Sequence, residues 1–416
     1  MDLAIIVAGY YRLDSVKRIT SSILASSYSK DNITLYYSLD YSNHQDSILK
    51  YLDTVAWKYG DVEVIVHPSR LGLREHILKC GDLSQNHDAI ILLEDDLYVS
   101  KDFYNYATQS LNFYKDETRV AGIALYAAQF IEIHEMSFMP LKSKWDSYFM
   151  QIPCSWGQAW TREQWTRFRD WYNQNNTDKI FRKKIIPEDV LIWPKTSWKK
   201  FYYQYMVEKN LYFTYPYDSH TTNFSDIGEN IDDNRTFLQV ELSQKGGIDY
   251  LFQDYNDSMI KYDHVGEPLA AMFTSLSQIV NLDDLTVDLY GNKDLANVKT
   301  EYILTAKLAS EPIRSFARKL KPHELNIIQN ISGNEIRLVK TSNCKNRKKY
   351  RKSELSYYYS IPTYHLNPHD LRHYKNLLSV KYKMSYLKII FGYPIYLKFL
   401  SLKRKISNYI SKNIYE

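Results

Sequence analysis

The chain has 416 residues, which is enough for two domains and at least one sizeable core. An apolar share of 44% and a charged share of 24% are ordinary for soluble globular proteins and exclude collagen-like and low-complexity classes. The formal net charge is +5, but residues 341–416 alone carry 16 Lys/Arg against 3 Asp/Glu. The basic character therefore belongs to the tail.

The cysteines and the apolar segments bear on the compartment. Three widely spaced cysteines form no C-x-x-C pair, which favours a reducing environment. The start MDLAIIVAGYYRLD lacks the basic region and cleavage site of a secretory signal peptide. The apolar stretch 387–402 is interrupted by lysines and a proline and is shorter than the roughly 20 residues that span a bilayer. We expect a cytoplasmic protein without a transmembrane helix.

The first hundred residues alternate between strand and helix patterns. LAIIVA (3–8) is a continuous apolar run, and a helical pattern follows it. The same order returns in ITLYYSLD (33–40), a helix around 45–59, VEVIVH (62–67), a helix around 73–85 and AIILLEDD (89–96). This alternation predicts an α/β fold with a doubly wound, mostly parallel sheet.

Ligands of such sheets bind at the carboxyl ends of the strands. The residues at or just after the predicted strand ends are therefore candidates for ligand binding: Gly9, Arg12, Asp40, Arg70, Glu94, Asp95 and Asp96.

The rest of the chain is less regular. Residues 97–230 contain seven tryptophans, which indicates a mixed core and cleft wall. We expect a catalytic domain over 1–230, a connector over 231–300, and a small accessory α/β module and linker over 301–370 with a helix around 311–319. Residues 371–416 have the pattern of basic amphipathic helices.

The triplet Glu94, Asp95 and Asp96 ends a buried strand. Burying three unpaired carboxylates is costly, so a cation or a hydrogen-bonded ligand is expected beside them. Mg²⁺ and Mn²⁺ take oxygen ligands and leave positions open for substrate phosphates, which suits a nucleotide diphosphate. Such a metal would neutralise charge on a departing diphosphate. The alternative is that the triplet marks a solvated strand end, but its place after the fourth strand of an α/β pattern favours function.

Several motifs occur in a fixed order: IIVAGYYRLD, a strand ending in Ser-Leu-Asp, the R-x-G-L segment 70–73, LLEDDLYVSKDFYNY, SWGQAWTREQW, IWPKTSWKKF and TTNFSDIG. Together they resemble the GT-A glycosyltransferases, in particular N-acetylglucosaminyltransferase I and bacterial family-2-like relatives. The resemblance covers approximately residues 1–230.

The resemblance implies a role for each strand-end residue. Arg12 would contact the nucleotide phosphate and Asp40 the uracil or equivalent base. Glu94 and Asp95 would contact the donor sugar and ribose, and Asp96 would bind the metal. Two alternatives stay open: Arg12 as a surface arginine, and Asp40 as a turn-forming residue.

One position departs from the resemblance. Where the eukaryotic relative has an aspartate as general base, this chain has Lys199, and a lysine deprotonates a hydroxyl only if its pKa is strongly lowered. The candidate replacements are Glu188, Asp189 and Asp226, with Asp189 preferred. Glu188 and Asp189 are equally explained as the cap of a helix after Pro187.

His220 and the tail complete the set of candidates. His220 would complete the metal shell, although a lone histidine is more often structural. The basic and apolar faces of the tail are typical of a helix lying on an anionic membrane surface. A solvated helix packed on the catalytic domain is the alternative, and nucleic-acid binding is not expected because no binding module is recognisable.

The carboxylate triplet and the resemblance together predict a Mn²⁺- or Mg²⁺-dependent glycosyltransferase, and the resemblance implies that it is inverting. The resemblance further implies transfer of a hexose or N-acetylhexosamine from a UDP-sugar to a saccharide or lipid-linked saccharide in bacterial surface glycan synthesis. Its place would be the inner face of the cytoplasmic membrane. The alternatives are a nucleotidyltransferase, whose glycine-rich loop is missing here, and a catalytically inactive membrane-associated assembly module.

Overall fold

The computed structural model describes residues 1–29, 32–133, 136–175, 186–226 and 238–348. The chain divides into two compact units, Met1–Leu355 and Ser356–Glu416. The second unit, and with it the predicted basic helices of 371–416 and their membrane contact, lies outside the described residues. Within the described ranges, no helix combines the length and the apolar character needed to cross a bilayer.

The described residues form the following strands: β1 (Leu3–Gly9), β2 (Leu35–Leu39), β3 (Val62–Val66), β4 (Ala89–Glu94), β5 (Leu97–Val99), β6 (Val120–Ala124), β7 (Phe130–Ile131), β8 (Met136–Ser137), β9 (Ser147–Met150), β10 (Gln158–Thr161), β11 (Tyr212–Pro216), β12 (Thr221–Asn223), β13 (Lys261–Tyr262), β14 (Leu285–Asp288), β15 (Tyr302–Thr305), β16 (Lys307–Ala309), β17 (Arg314–Phe316), β18 (Ile336–Lys340) and β19 (Cys344–Lys348). The helices are α1 (Leu13–Leu24), α2 (Asp46–Leu52), α3 (Leu73–Asp82), α4 (Phe103–Tyr114), α5 (Arg162–Asn175), α6 (Glu188–Leu191), α7 (Trp198–Lys209) and α8 (Glu324–Ile328).

Nine of these strands form the main sheet, in the order β13-β9-β11-β6-β10-β4-β1-β2-β3. Its β4-β1-β2-β3 half is parallel throughout, and β6–β11 and β9–β13 are parallel as well. Only the pairs β10–β4, β10–β6 and β11–β9 are antiparallel. The predicted α/β fold with a mostly parallel sheet is confirmed.

Strands β1, β2 and β4 of the parallel half are buried almost throughout, which explains their continuous apolar runs, whereas the edge strand β3 is partly exposed. All seven residues of β1 are buried. On α1, the residues Val16, Ile19 and Ile23 are fully buried in the same core. Their spacing of three and four places them on one face of the helix, which is why the sequence shows a helical period directly after an apolar run.

The register of this half brings distant residues together at one edge. Ala8 of β1 lies opposite both Ser38 of β2 and Glu94 of β4. Just beyond, the amide of Asp40 donates to the Gly9 carbonyl at 3.0 Å, and the amide of Asp95 donates to the Ala8 carbonyl at 3.0 Å. Three strand ends therefore deliver their polar residues to one place.

The segments after residue 230 differ in detail from the sequence expectation. β13 lies in the predicted connector yet joins the edge of the main sheet. A separate four-stranded sheet, in the order β14-β15-β18-β17, begins at Leu285. The predicted helix around 311–319 is wrong, because Arg314–Phe316 is a strand paired antiparallel with β18. Glu311 has a φ of 51°, which no residue inside a right-handed helix adopts.

Candidate active site

A cleft of about 650 Å³ opens at the carboxyl ends of β1, β2 and β4. Eight of the residues predicted from the sequence line it: Gly9, Arg12, Asp40, Arg70, Glu94, Asp95, Asp96 and Asp226. The volume is typical of a small-molecule site, and its position matches the ligand-binding edge of parallel sheets.

The other three predicted residues are placed differently. His220 does not line the cleft. It is buried, its Nδ1 lies 3.1 Å from Ser100 Oγ, and its ring stacks on Tyr106 with 4.4 Å between centroids. These contacts give His220 a packing role. Glu188 and Asp189 begin the short helix α6 directly after Pro187, and their side chains lie outside the described part of the structure.

Arg12 is the cation that the carboxylate triplet requires. It lies immediately before α1, and its guanidinium forms a two-pronged ion pair with Asp95. The same guanidinium lies 3.6 Å from Asp96 Oδ2 and donates to the Asp226 carbonyl at 3.2 Å. Arg12 thus lines the cleft, and its side chain is 20% exposed.

A single arginine does not neutralise three carboxyl groups. Burial, reinforced by repulsion from Asp96 and Asp95, raises the pKa of Glu94 to about 8. Burial also raises the pKa of Asp95 to about 6, although the charge of Arg12 opposes this shift. The pKa of Asp96 is raised for the same first reason. The site therefore favours additional positive charge.

The donor set fits a divalent cation. Among the described residues, Asp96 Oδ1 is buried without a hydrogen-bond partner, which is an unusual state for a carboxylate oxygen. No group of three His, Cys, Asp or Glu residues within the described ranges is arranged to hold a metal by itself. One or two carboxylates are enough where substrate phosphates and water supply the other ligands. Asp96, with Asp95 beside it, would hold such an ion.

Asp40 lines the cleft and also organises it. Its Oδ1 accepts from the amides of Tyr41 and Leu71, both at 2.8 Å, and its Oδ2 accepts from the amide of Gly72 at 2.9 Å. The carboxylate is therefore a turn-stabilising group, as the alternative reading proposed. It holds the segment that carries Arg70, whose guanidinium lies 4.2 Å from the centroid of the Tyr10 ring.

Asp226 closes the other side of the triplet. Strands β5 and β12 form a two-stranded sheet that brings the residues after β12 back to α1. The Asp226 carboxylate accepts from Ser15 Oγ at 2.7 Å and pairs with Arg18, whose guanidinium lies 4.0 Å from the centroid of the Phe224 ring. These contacts connect Asp226 to α1, so its carboxylate has a structural role rather than the role of the general base.

The tryptophans divide between core and cleft, as expected. Trp160 and Trp165 are fully buried in the aromatic core beside α5 and α7. Trp156, Trp193 and Trp198 line the cleft. Aromatic faces beside a polar cleft are suited to stacking on sugar rings.

Sequence reasoning missed one pair in the cleft. Lys199, singled out because it replaces an expected carboxylate, forms an ion pair with Glu132. Both residues line the cleft, together with Ser155. Glu132 comes from an irregular segment 67 residues earlier in the chain, and no motif in the sequence marks it.

A second missed residue is His76, which lies in the cleft wall near Asp40. Its Nε2 is 2.9 Å from Ser38 Oγ. Burial lowers the pKa of His76 to about 4, so the ring is neutral near neutral pH. It extends the cleft wall as a hydrogen-bonding group without charge.

No protein-family model and no curated protein matches the sequence. Similar solved structures include the mannosyltransferase PcManGT from Pyrobaculum calidifontis in complex with GDP-Man and Mn²⁺, at 13% identity and a TM-score of 0.28 over 39% of this chain and 45% of that one. TarS 1-349 from S. aureus in complex with UDP-GlcNAc has 10% identity and a TM-score of 0.37 over 55% and 60%. GalNAc-T7 with UDP, GalNAc and Mn²⁺ has 12% identity and a TM-score of 0.37 over 53% and 43%.

The first of these proteins is a mannosyltransferase, and the other two were solved with UDP-GlcNAc or with UDP, GalNAc and Mn²⁺. This chain spans about half the length of the solved chains it matches. At such identities and TM-scores the likeness says nothing about chemistry, so the activity has to be inferred from the cleft itself.

Proposed function

We propose that this protein is a metal-dependent glycosyltransferase that uses a nucleotide diphosphate sugar, most simply a UDP-sugar, as donor. The observation that carries the proposal is the buried carboxylate triplet at the end of β4, with Asp96 Oδ1 unpartnered beside a 650 Å³ cleft. An excess of buried negative charge at the ligand-binding edge of a parallel sheet is what a metal-bound diphosphate would complement.

The cationic residues of the cleft support a donor with phosphates. Arg12 lies at the triplet, and Arg70 lines the same cleft beside Tyr10. An arginine fork matches the geometry of phosphate oxygens. A divalent ion on Asp96 would supply Lewis-acid stabilisation of the diphosphate as it leaves. Arg12 would exchange part of its pairing with Asp95 for the phosphate.

The acceptor side is proposed from the aromatic wall. Trp156 and Trp193 offer stacking faces to a saccharide. We propose a saccharide or lipid-linked saccharide acceptor, with transfer of a hexose or N-acetylhexosamine into a bacterial surface glycan. The basic tail would hold the enzyme at the inner face of the cytoplasmic membrane.

The proposed reaction inverts the anomeric carbon. The acceptor hydroxyl attacks the carbon from the face opposite the diphosphate, and a carboxylate takes the hydroxyl proton. The carbon–oxygen bond to the diphosphate breaks in the same displacement.

Two other functions would use the same site. A nucleotidyltransferase would need a glycine-rich phosphate-binding loop, and the segment at the end of β1, Gly9 to Tyr11, contains a single glycine. A catalytically inactive assembly module would keep the cleft and lose turnover. Metal-dependent release of UDP from a UDP-sugar would argue against both.

The proposal is tested by calorimetric titration of UDP, GDP and dTDP into the full chain, with Mn²⁺ and with EDTA. Asp96→Asn keeps the shape of the side chain and removes its charge, whereas Asp116→Asn changes an exposed carboxylate on the surface and serves as the control. We expect Mn²⁺-dependent binding of one nucleotide, lost by at least about tenfold in Asp96→Asn and retained in Asp116→Asn. If wild type binds none of the three nucleotides with Mn²⁺, the transferase proposal fails.

A further inference from the structure

We propose that Glu132 is the residue that takes the proton from the acceptor hydroxyl, and that Lys199 positions its carboxylate. This inference rests on the proposed function. It assigns a role in catalysis to a residue that no motif marks.

Glu132 and Lys199 form a supported ion pair in the wall of the cleft. Glu132 directly follows β7, and Lys199 lies in the first turn of α7. The Glu132 side chain is 24% exposed and that of Lys199 is 8% exposed, so the carboxylate is the member that a substrate can reach.

Lys199 is held in place by further contacts. Its Nζ lies 3.4 Å from Ser155 Oγ and 5.1 and 5.7 Å from the ring centroids of Trp156 and Trp193. The same aromatic rings are the proposed sugar-stacking faces. A carboxylate fixed beside them lies on the acceptor side of the cleft.

The other described carboxylates of the cleft are engaged by different partners. Asp40 accepts three backbone amides, and Asp226 is bound by Ser15 and Arg18. Glu94, Asp95 and Asp96 form the donor-side triplet around Arg12. Among the described cleft residues, Glu132 is a partly exposed carboxylate whose partner is the side chain of Lys199 alone.

The proposed step involves only the acceptor hydroxyl, the nucleotide sugar and the Glu132 carboxylate. The acceptor oxygen forms a bond to the anomeric carbon while its proton passes to a Glu132 oxygen. The bond from that carbon to the diphosphate oxygen breaks, and its electron pair leaves with the diphosphate. The Lys199 ammonium group pairs with the Glu132 carboxylate and orients it towards the acceptor.

Glu132 also lines a small second cavity together with Cys154, Tyr215 and Lys199. Burial raises the pKa of the Cys154 thiol to about 12 and the pKa of Tyr215 well above its usual range, so both groups are neutral near neutral pH. Among the described residues of this lining, Lys199 is the cation that pairs with Glu132.

The test compares Glu132→Gln, Asp189→Asn and the surface control Glu163→Gln in the full chain with Mn²⁺. UDP binding is measured by calorimetry, and UDP release is measured with UDP-GlcNAc, UDP-glucose and UDP-galactose, with water as acceptor. We expect Glu132→Gln to bind UDP within about twofold of wild type and to release UDP about 100-fold more slowly. Glu163→Gln should retain wild-type turnover, whereas Asp189→Asn tests the base that the sequence favoured.

Two further measurements separate a proton acceptor from a structural residue. Azide carries no proton to lose, so Glu132→Ala with azide should form a glycosyl azide at a rate above its hydrolysis. Lys199→Met removes the ion-pair partner of Glu132, so UDP release should slow while UDP binding is retained, and Lys199→Arg should restore part of the rate because it keeps the cation.

Different results would overturn the assignment of Glu132 and the proposed function. Wild-type turnover in Glu132→Gln overturns this inference and leaves the proposed function intact, and an inactive Asp189→Asn would then assign the base to Asp189. Loss of UDP binding in Glu132→Gln also overturns it, because the carboxylate would then serve the donor. A wild-type protein that neither binds UDP nor releases it from any of the three donors overturns the proposed function itself.

Discussion

The amide of Gly72 donates a 2.9 Å hydrogen bond to the carboxylate of Asp40, which lies 32 residues earlier and directly after β2. The same carboxylate accepts from the amides of Leu71 and Tyr41. One side chain thus fixes the backbone between Arg70 and the start of α3. The position of Arg70 in the cleft depends on this group.

Replacing Asp40 with Asn should loosen that segment. An amide offers one acceptor oxygen, and its NH₂ group would face a backbone N–H that has lost its partner. We expect a loss of about 2 kcal/mol in the free energy of unfolding and weaker UDP binding, measured by urea denaturation and by calorimetry. Asp53→Asn, at an exposed position after α2, is the matched control. Unchanged stability in Asp40→Asn would show that the three hydrogen bonds are dispensable.

Gly72 itself has φ 77° and ψ 162°, a conformation that side-chain-bearing residues avoid. A Cβ atom added there would meet no atom within 4 Å, so Gly72→Ala tests backbone strain alone. We expect a cost of about 1 to 3 kcal/mol in stability. Gly246→Ala is the control, because Gly246 also faces open space and has no positive φ. Equal melting temperatures for the two variants would contradict this account.

The sequence was sufficient to predict the parallel half of the sheet and most of the donor edge. Continuous apolar runs mark strands buried on both faces, and parallel strands end at the same edge, so the polar residues after them had to meet. Arg12 and Asp96 were found for this reason. No knowledge of long-range contacts was needed.

The acceptor side could not be predicted in the same way. Glu132 follows a two-residue strand in an irregular segment, and its partner Lys199 is 67 residues away. No periodicity connects such residues, because tertiary packing alone brings them together. The helix predicted over 311–319 is wrong for a related reason. The pairing of β17 with β18 is a tertiary contact that outweighs the local helical pattern of this segment.

Glu324 gives a pH dependence that is independent of the cleft. It is buried, its Oε1 accepts from the Tyr262 hydroxyl at 2.9 Å, and burial raises its pKa to about 7. The folded state therefore binds more protons than the unfolded state between the ordinary glutamate pKa and pH 7. The contribution of this group is favourable at low pH and is lost as pH rises through that window.

Glu324→Gln keeps an oxygen that accepts from Tyr262 and cannot ionise. We expect it to exceed wild type in stability by roughly 2 kcal/mol at pH 8 and to match it near pH 4. Urea denaturation at pH 4, 6 and 8 measures the difference, with Glu163→Gln as an exposed control. A constant difference across the three pH values would mean that Glu324 does not titrate in this range.

Arg12→Gln tests whether the triplet is held by charge neutralisation. Removing the guanidinium leaves Asp95 and Asp96 without their cation and raises the pKa values of Glu94 and Asp95 beyond about 8 and 6. Raised carboxyl pKa values make the folded state lose stability as pH increases. We expect Arg12→Gln to lose about 2 kcal/mol at pH 8, less than a fully buried pair because the Arg12 side chain is 20% exposed.

The same variant separates charge from packing. At pH 5 most of the triplet is protonated, so the loss in Arg12→Gln should shrink towards zero, and Arg12→Lys should retain part of the stability at pH 8 because it keeps the charge. Addition of Mn²⁺ at pH 8 should raise the melting temperature of Arg12→Gln more than that of wild type, since a divalent cation then replaces the missing guanidinium. A loss that is equal at both pH values and insensitive to Mn²⁺ would assign Arg12 a packing role and remove the electrostatic argument for the metal.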